Sequence, residues 1–198
     1  RYPWEEKGKI SGIVAKEFIA VKGDGKSTIE KLILKNPRFI LQLKALQNSK
    51  GIDLTAVLKK DEKRILVPYG NHARGAKFLD ISDKITDTLE NSIDEICKKI
   101  DGFYFGRLDI MYDNWDDLTI GKNLSIVELN GAGSEPTHMY DPKHSIFFAW
   151  REIARHCSIL WQVSTWNHHY QKFPYLKFRD GLTMFRENTA LKRKLKRM

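Results

Sequence analysis

Cysteine and long apolar runs are both scarce in this sequence of 198 residues, and each scarcity excludes a class of protein. The two cysteines, Cys97 and Cys157, lie too far apart in sequence to indicate a disulfide scaffold or a zinc site. No apolar run approaches the ~20 residues of a membrane-spanning helix, and the charged opening segment lacks the apolar stretch of a secretory signal. We therefore expect no membrane span and a reduced, cytoplasmic setting. Because no initiator methionine is present, we also expect a piece of a longer chain.

Basic residues exceed acidic ones by 34 to 25, and much of the excess lies near the C-terminus. In residues 186–198, six bases accompany a single acid, Glu187. With the aromatic residues just upstream, such a segment could bind nucleic acid or another anionic surface. A basic nucleic-acid-binding module is therefore one alternative function. No zinc-knuckle, RNP-like or helix-turn-helix pattern accompanies the charge, so nucleic acid is the less favoured partner and a solvated terminus is the simpler interpretation.

Hydrophobic periodicity predicts a mixture of helices and strands with an antiparallel hairpin near the centre. Residues 10–21 are rich in β-branched and aromatic types and predict one strand, followed by a glycine turn. A short helix comes next, with Ser27 as its cap and Glu30 as the partner in a capping box. Apolar residues at steps of three and four predict an amphipathic helix over residues 82–100. The other predicted elements are three strands and one long helix, at 64–68, 103–112, 124–130 and 145–161.

The predicted hairpin carries polar side chains on one face of otherwise apolar strands. Because side chains alternate along a strand, Arg107 and Asp109 share one side, and Glu128 and Asn130 likewise share a side of the next strand. If the two faces are aligned, the carboxylate and amide oxygens would suit Mg²⁺. The guanidinium beside them could then stabilise charge on a transferring phosphoryl group. The same four residues could instead form a structural ion pair on a solvated sheet face, and the pattern alone leaves both interpretations open.

Two loops are further candidates for contacts with ligands. Residues 71–77 place Arg74 and Lys77 beside a glycine, which suits binding of a cofactor phosphate, although an exposed loop without a ligand would look the same. Residues 134–138 directly follow the candidate metal ligands, so we expect them at the mouth of the site. There they would either meet the acceptor substrate or form a rigid turn.

Residues 106–109 and 126–131 together resemble the C-terminal core of ATP-grasp enzymes of the D-alanine–D-alanine ligase and cyanophycin synthetase type. In that family an Arg-x-Asp strand precedes a Glu-x-Asn strand and a loop containing glycine or proline. Residues 21–30 are also similar to a stretch of the cyanophycin-synthetase-like ligases. The resemblance covers roughly residues 10–160. It implies an α+β fold, in which an ATP-grasp-like C-terminal subdomain has a largely antiparallel sheet flanked by helices.

The resemblance also implies an activity and a set of roles. ATP-grasp ligases use ATP and Mg²⁺ to activate a small carboxylate as an acylphosphate, which an amine or thiol then attacks. By this resemblance Asp109, Glu128 and Asn130 would bind Mg²⁺, and Arg107 would contact the transferring phosphate. An enzyme that forms carbon–nitrogen bonds is therefore the favoured function for the full-length protein.

The resemblance divides the chain into two parts. We expect residues 1–165 to form a partial ATP-grasp domain with the metal- and phosphate-binding core, and residues 166–198 to form a basic C-terminal tail or helix. Enzymes of this family hold ATP between two lobes, with a lysine and an adenine-binding hinge upstream, and we expect those in a preceding part of the natural protein. A non-catalytic ATP-grasp fragment is the remaining alternative. The carboxylate, the nucleophile and the oligomeric state are not specified by the sequence.

Overall fold

A computed structural model of the protein describes residues 1–49, 51–68, 70 and 75–196. Its architecture is α+β, as the sequence predicts, with small antiparallel sheets and several helices. The strands are β1 (Val14–Glu17), β2 (Ile19–Lys22), β3 (Lys63–Val67), β4 (Lys77–Asp80), β5 (Arg107–Tyr112) and β6 (Leu124–Asn130). The helices are α1 (Ile29–Leu34), α2 (Pro37–Ile40), α3 (Leu43–Gln47), α4 (Asp87–Lys98), α5 (Trp115–Thr119), α6 (Ile146–Tyr170) and α7 (Phe178–Leu195).

Among the described residues, the strands form three two-stranded antiparallel sheets rather than one larger sheet. These sheets pair β1 with β4, β2 with β3, and β5 with β6. The predicted single strand at 10–21 is divided at Phe18, so that its two halves pair with different partners. The division follows burial, because Ile19 and Val21 are 1% and 4% exposed whereas β1 contains no buried residue. The second half therefore belongs to a hydrophobic core that the first half does not enter.

That hydrophobic core lies where β2 and β3 meet α1. Its buried members are Ile19, Val21, Ile29, Ile33, Leu46, Leu58 and Leu66. Helix α1 begins one residue later than predicted, since Thr28 is its cap and accepts a hydrogen bond from the backbone of Lys31 at 3.3 Å. Ser27 instead donates its backbone N–H and its hydroxyl to Asp24, at 2.6 and 2.7 Å. Asp24 thus holds Ser27 in the preceding turn, and the predicted capping box was wrong.

The longer helices were predicted with good bounds at one end. Residues 82–100 form a short 3₁₀ turn, Ser82–Lys84, followed by α4, whose cap is Thr86. Helix α6 continues well past its predicted end at 161, because no glycine or proline interrupts it before Tyr170. Helix α7, all of whose residues are described, buries none of them. No described helix combines the length and apolar character that crossing a bilayer requires.

Candidate metal- and phosphate-binding site

The register of β5 and β6 brings the four predicted polar residues to one face of the hairpin. Arg107 lies opposite Asn130, and Asp109 lies opposite Glu128. Residues directly opposite each other in an antiparallel pair project to the same side, and the intervening leucine pair projects to the other. The register shifts immediately after Asp109, so the alignment ends there. The aligned faces that the sequence interpretation required are therefore present.

Gly106 lets the chain enter β5 close to the end of β6. A side chain at this position would overlap the backbone carbonyl of Asn130 and the ring of Phe103. Only a residue without a Cβ allows the two backbones to approach so closely. Since Gly106 directly precedes Arg107, this approach fixes the backbone position from which the Arg107 side chain extends over the face that carries the acids.

Hydrogen bonds join the polar heads into one network. Arg107 Nε donates to Asp109 Oδ1 at 3.0 Å. In the amide orientation that satisfies both neighbours, Arg107 Nη2 donates to Asn130 Oδ1 at 3.1 Å. The Asn130 Nδ2 then donates to Glu128 Oε1, also at 3.1 Å. The guanidinium therefore bridges the two strands and orients the amide, while Glu128 itself is an exposed residue.

Lys16 of β1 completes the network from a different sheet. Its Nζ donates to Asp109 Oδ2 at 2.7 Å, so each oxygen of Asp109 has a cationic partner. Burial alone would raise the pKa of the Asp109 carboxyl, but the hydrogen bond and charge of Lys16 and the charge of Arg107 hold it below its usual value. Sequence analysis did not identify Lys16. The only signal it could have used is a lysine within an otherwise apolar strand, because the partner lies 93 residues away.

The donor atoms fit a hard divalent cation. Asp109, Glu128 and Asn130 offer carboxylate and amide oxygens, the ligands that Mg²⁺ prefers. In the part of the chain that the structure describes, no group of three or more His, Cys, Asp or Glu residues could hold a metal. The hairpin offers two carboxylates and one amide, and Mg²⁺ in proteins usually completes its shell with water and substrate phosphates. The Lys16 ammonium already binds Asp109, so this carboxylate does accept a cation.

Of the two predicted phosphate-binding cations, the structure describes Lys77 alone. Arg74 lies outside the described residues. Lys77, the first residue of β4, lies opposite Glu17 of β1. Since neighbouring residues alternate in direction, Lys77 lies on the face of its sheet opposite to Lys16, whose Nζ is 6.0 Å from the centre of the Phe78 ring. Contacts of Arg74 and Lys77 with phosphate stay predictions.

The segment after β6 turns back and is anchored on α6. His138 is 6% exposed, and its Nε2 lies 3.2 Å from Oε2 of Glu152. Glu152 also accepts from Arg155 Nε at 3.0 Å, and Arg155 Nη2 donates to the carbonyl of Ser11 at 3.1 Å. His138 is thus a buried contact between this segment and α6. Contact of residues 134–138 with the acceptor stays a prediction.

A second anchor joins the same segment to β4. His144 Nε2 lies 2.7 Å from Oδ2 of Asp80, and the backbone N–H of Asp80 donates to Asp141 Oδ2 at 2.7 Å. The His144 ring is stacked on Phe148 at 3.7 Å between centroids. The chain that leaves the candidate site is therefore held at two points, by contacts with α6 and with β4.

Gly12 packs against the His138 anchor and leaves no space for a side chain. A Cβ at Gly12 would lie 2.7 Å from Cε1 of His138 and closer still to its Nδ1. We expect Gly12→Ala to lower the free energy of unfolding by about 1–3 kcal/mol, because the buried ring must move. Urea denaturation followed by circular dichroism measures the change.

The matched control is Gly133→Ala, where a Cβ would meet nothing within 4 Å. We expect this control to stay within about 0.5 kcal/mol of the parent protein. Equal losses in the two variants would mean that contact with His138 does not constrain Gly12.

Comparison with known proteins gives a partial similarity. No protein-family model matches the chain. The glutathione biosynthesis bifunctional protein GshAB of Clostridium perfringens (strain 13 / Type A) is 26% identical over a stretch that covers 62% of this chain. The same stretch covers 18% of the relative, so the chain matches less than a fifth of the length of that curated protein.

Proposed function

We propose that this chain is the metal- and phosphate-binding part of a Mg²⁺- and ATP-dependent ligase of the ATP-grasp type. The reaction would convert a small carboxylate to an acylphosphate, which an amine or thiol attacks. The observation that carries the proposal is the hairpin register, with Arg107 opposite Asn130 and Asp109 opposite Glu128. The similarity to a protein of glutathione biosynthesis supports the same class, because glutathione is a peptide whose amide bonds join carboxylates to amines.

Each side chain of the cluster has a role in this proposal. Asp109, Glu128 and Asn130 would hold Mg²⁺ through their oxygen atoms. When bound, the ion would neutralise charge on the phosphate oxygens of ATP. Arg107 uses two of the five N–H donors of a guanidinium for Asp109 and Asn130 and can direct others at a phosphoryl group. Because the guanidinium is already held, it would stabilise developing charge with little reorganisation.

The two-part division of the chain belongs to the same proposal. Residues 1–165 would carry the core, and residues 166–198 would form a basic segment outside it. The absence of buried residues in α7 supports this division. Residue 165 itself lies within α6, so the two parts would share one continuous helix.

The test measures ADP formation by the complete natural protein with ATP, Mg²⁺ and a mixture of amino acids. Hydroxylamine is added as a general nucleophile that converts acylphosphates to hydroxamates. We expect ADP and hydroxamate to form in equal amounts, and both to require Mg²⁺ and a carboxylate. The active carboxylate is then found by dividing the mixture.

Two results would contradict the proposal. ADP formation that needs no carboxylate would indicate an ATPase rather than a ligase. Failure of the complete protein to bind an ATP analogue in the presence of Mg²⁺ would favour a non-catalytic relative.

A further inference from the structure

Lys16 links two sheets through a single carboxylate. It belongs to β1, which pairs with β4, whereas Asp109 belongs to β5, which pairs with β6. The Nζ–Oδ2 distance is 2.7 Å, and the two side chains are 33% and 17% exposed. The contact is therefore a partly desolvated ion pair that joins the candidate metal site to a separate part of the fold.

With this contact, both oxygens of Asp109 have a cationic partner. Oδ2 is bound by Lys16, and Oδ1 is bound by Arg107 at 3.0 Å. A divalent ion binds carboxylate oxygens at about 2.1 Å, closer than any ammonium or guanidinium. An ion that binds Asp109 would share an oxygen with a resident cation at close range, and the repulsion between the two like charges favours displacement of that cation.

Lys16 is the more easily displaced of the two. Its ammonium is a point charge on a flexible four-carbon chain. It is joined to the network by its hydrogen bond to Asp109. Arg107 is held at a second point by Asn130 at 3.1 Å, on the strand opposite. Release of Lys16 breaks its hydrogen bond to Asp109 and alters its position 6.0 Å from the Phe78 ring centre. Release of Arg107 would break a bond to Asp109 and also free the amide of the candidate metal ligand Asn130.

We propose that Lys16 is a built-in counter-ion that occupies Asp109 and competes with the metal ion. Metal binding then requires Lys16 to leave, which opens the link between β1 and β5. The competition keeps the affinity for the free ion low. This inference rests on the proposed function, because it assumes that Asp109 and Glu128 are metal ligands. It makes Lys16 a positioning residue and assigns it no contact with substrate.

The experiment measures Mn²⁺ affinity of the complete natural protein without nucleotide, by electron paramagnetic resonance of the free ion. We expect Lys16→Met to bind Mn²⁺ about 2- to 5-fold more tightly than the parent protein, as loss of a partly exposed ion pair implies. Lys16→Arg keeps the positive charge and is expected to retain the low affinity. Glu128→Gln identifies the fraction of binding that belongs to the hairpin.

Lys22→Met is the matched control. Lys22 forms an ion pair of the same length, 2.7 Å, with Asp61 in the turn before β3. We expect it to leave the Mn²⁺ affinity unchanged. Circular dichroism of each variant checks that the fold is intact.

The outcomes separate this inference from the proposed function. Equal Mn²⁺ affinity in the parent protein and Lys16→Met, both sensitive to Glu128→Gln, overturns the counter-ion role and leaves the metal site standing. An equal gain in Mn²⁺ affinity in Lys16→Met and Lys22→Met would mean that the effect comes from the overall charge of the protein. That result also overturns the counter-ion role. Absence of Glu128-dependent Mn²⁺ binding in every variant overturns the metal site itself, and the counter-ion role with it.

Discussion

Glu128→Gln is expected to slow Mg²⁺-dependent phosphoryl transfer by the complete protein about 10²-fold or more, by analogy with the loss of other electrostatic stabilisers. The change removes one negative charge from the candidate metal site but preserves the shape of the side chain. A glutamine oxygen can still accept from Asn130, as Glu128 does at 3.1 Å. Because Glu128 is exposed, the fold should not change. Single-turnover ADP formation measures the effect on the chemical step.

The control for this substitution lies at the other end of the same hairpin. Asp113, also exposed, follows β5, and Asp113→Asn makes the same change of charge away from the network. We expect its rate of ADP formation to match that of the parent protein. An unchanged rate in Glu128→Gln would remove Glu128 from the metal site.

Glu152→Ala is expected to lower the free energy of unfolding by about 2–4 kcal/mol, the largest stability effect among these predictions. Glu152 is 6% exposed and accepts from Arg155 while facing the buried His138. Its removal leaves polar groups in the interior without their shared acceptor. The value lies toward the low end for buried pairs, because the Arg155 side chain is 42% exposed and can turn to water.

Chemical denaturation of Glu152→Ala is compared with that of Glu95→Ala. Glu95 pairs with Lys98 at 3.1 Å, but its side chain is 71% exposed. We expect the Glu95 variant to lose no more than about 0.5 kcal/mol. Similar losses in both variants would show that the buried position of Glu152 contributes nothing.

The stabilisation by Glu152 should also depend on pH. Burial tends to raise the pKa of its carboxyl, but the hydrogen bonds and charges of Arg155 and His138 lower it below the ordinary 4.5. Since the unfolded state then binds a proton more readily, the stabilisation is present above pH 4.5 and is lost as the pH falls through the lower, folded-state value. A difference between parent and variant that stays constant from pH 7 to the acid transition would contradict this account.

The hairpin could be predicted because its signals are local. The second strand, predicted at 124–130, has those bounds in the structure. Period-two alternation alone determined which of its side chains share a face. The alignment of the two strands stayed open in the sequence, because the connection at 113–123 is long enough to contain α5 and does not fix the register. The first strand was predicted from 103 but begins at Arg107, because Gly106 makes the close approach to Asn130 that starts the pairing.

Contacts between distant residues could not be predicted. No pattern within residues 10–21 indicates that Lys16 reaches Asp109, or that the strand divides at Phe18 between two sheets. Likewise His138 follows the candidate ligands in sequence, but its burial depends on Glu152 one helix later. In each case the partner lies on another element, and its position is set by packing rather than by local sequence.

The most direct test of the central claim is a crystal structure of the complete protein with Mn²⁺ and a non-hydrolysable ATP analogue. We predict an anomalous difference peak about 2.1–2.2 Å from oxygen atoms of Asp109, Glu128 and Asn130, with the phosphates completing the shell and Lys16 released from Asp109. A peak elsewhere, with Asp109 still bound to both Lys16 and Arg107, would contradict the account.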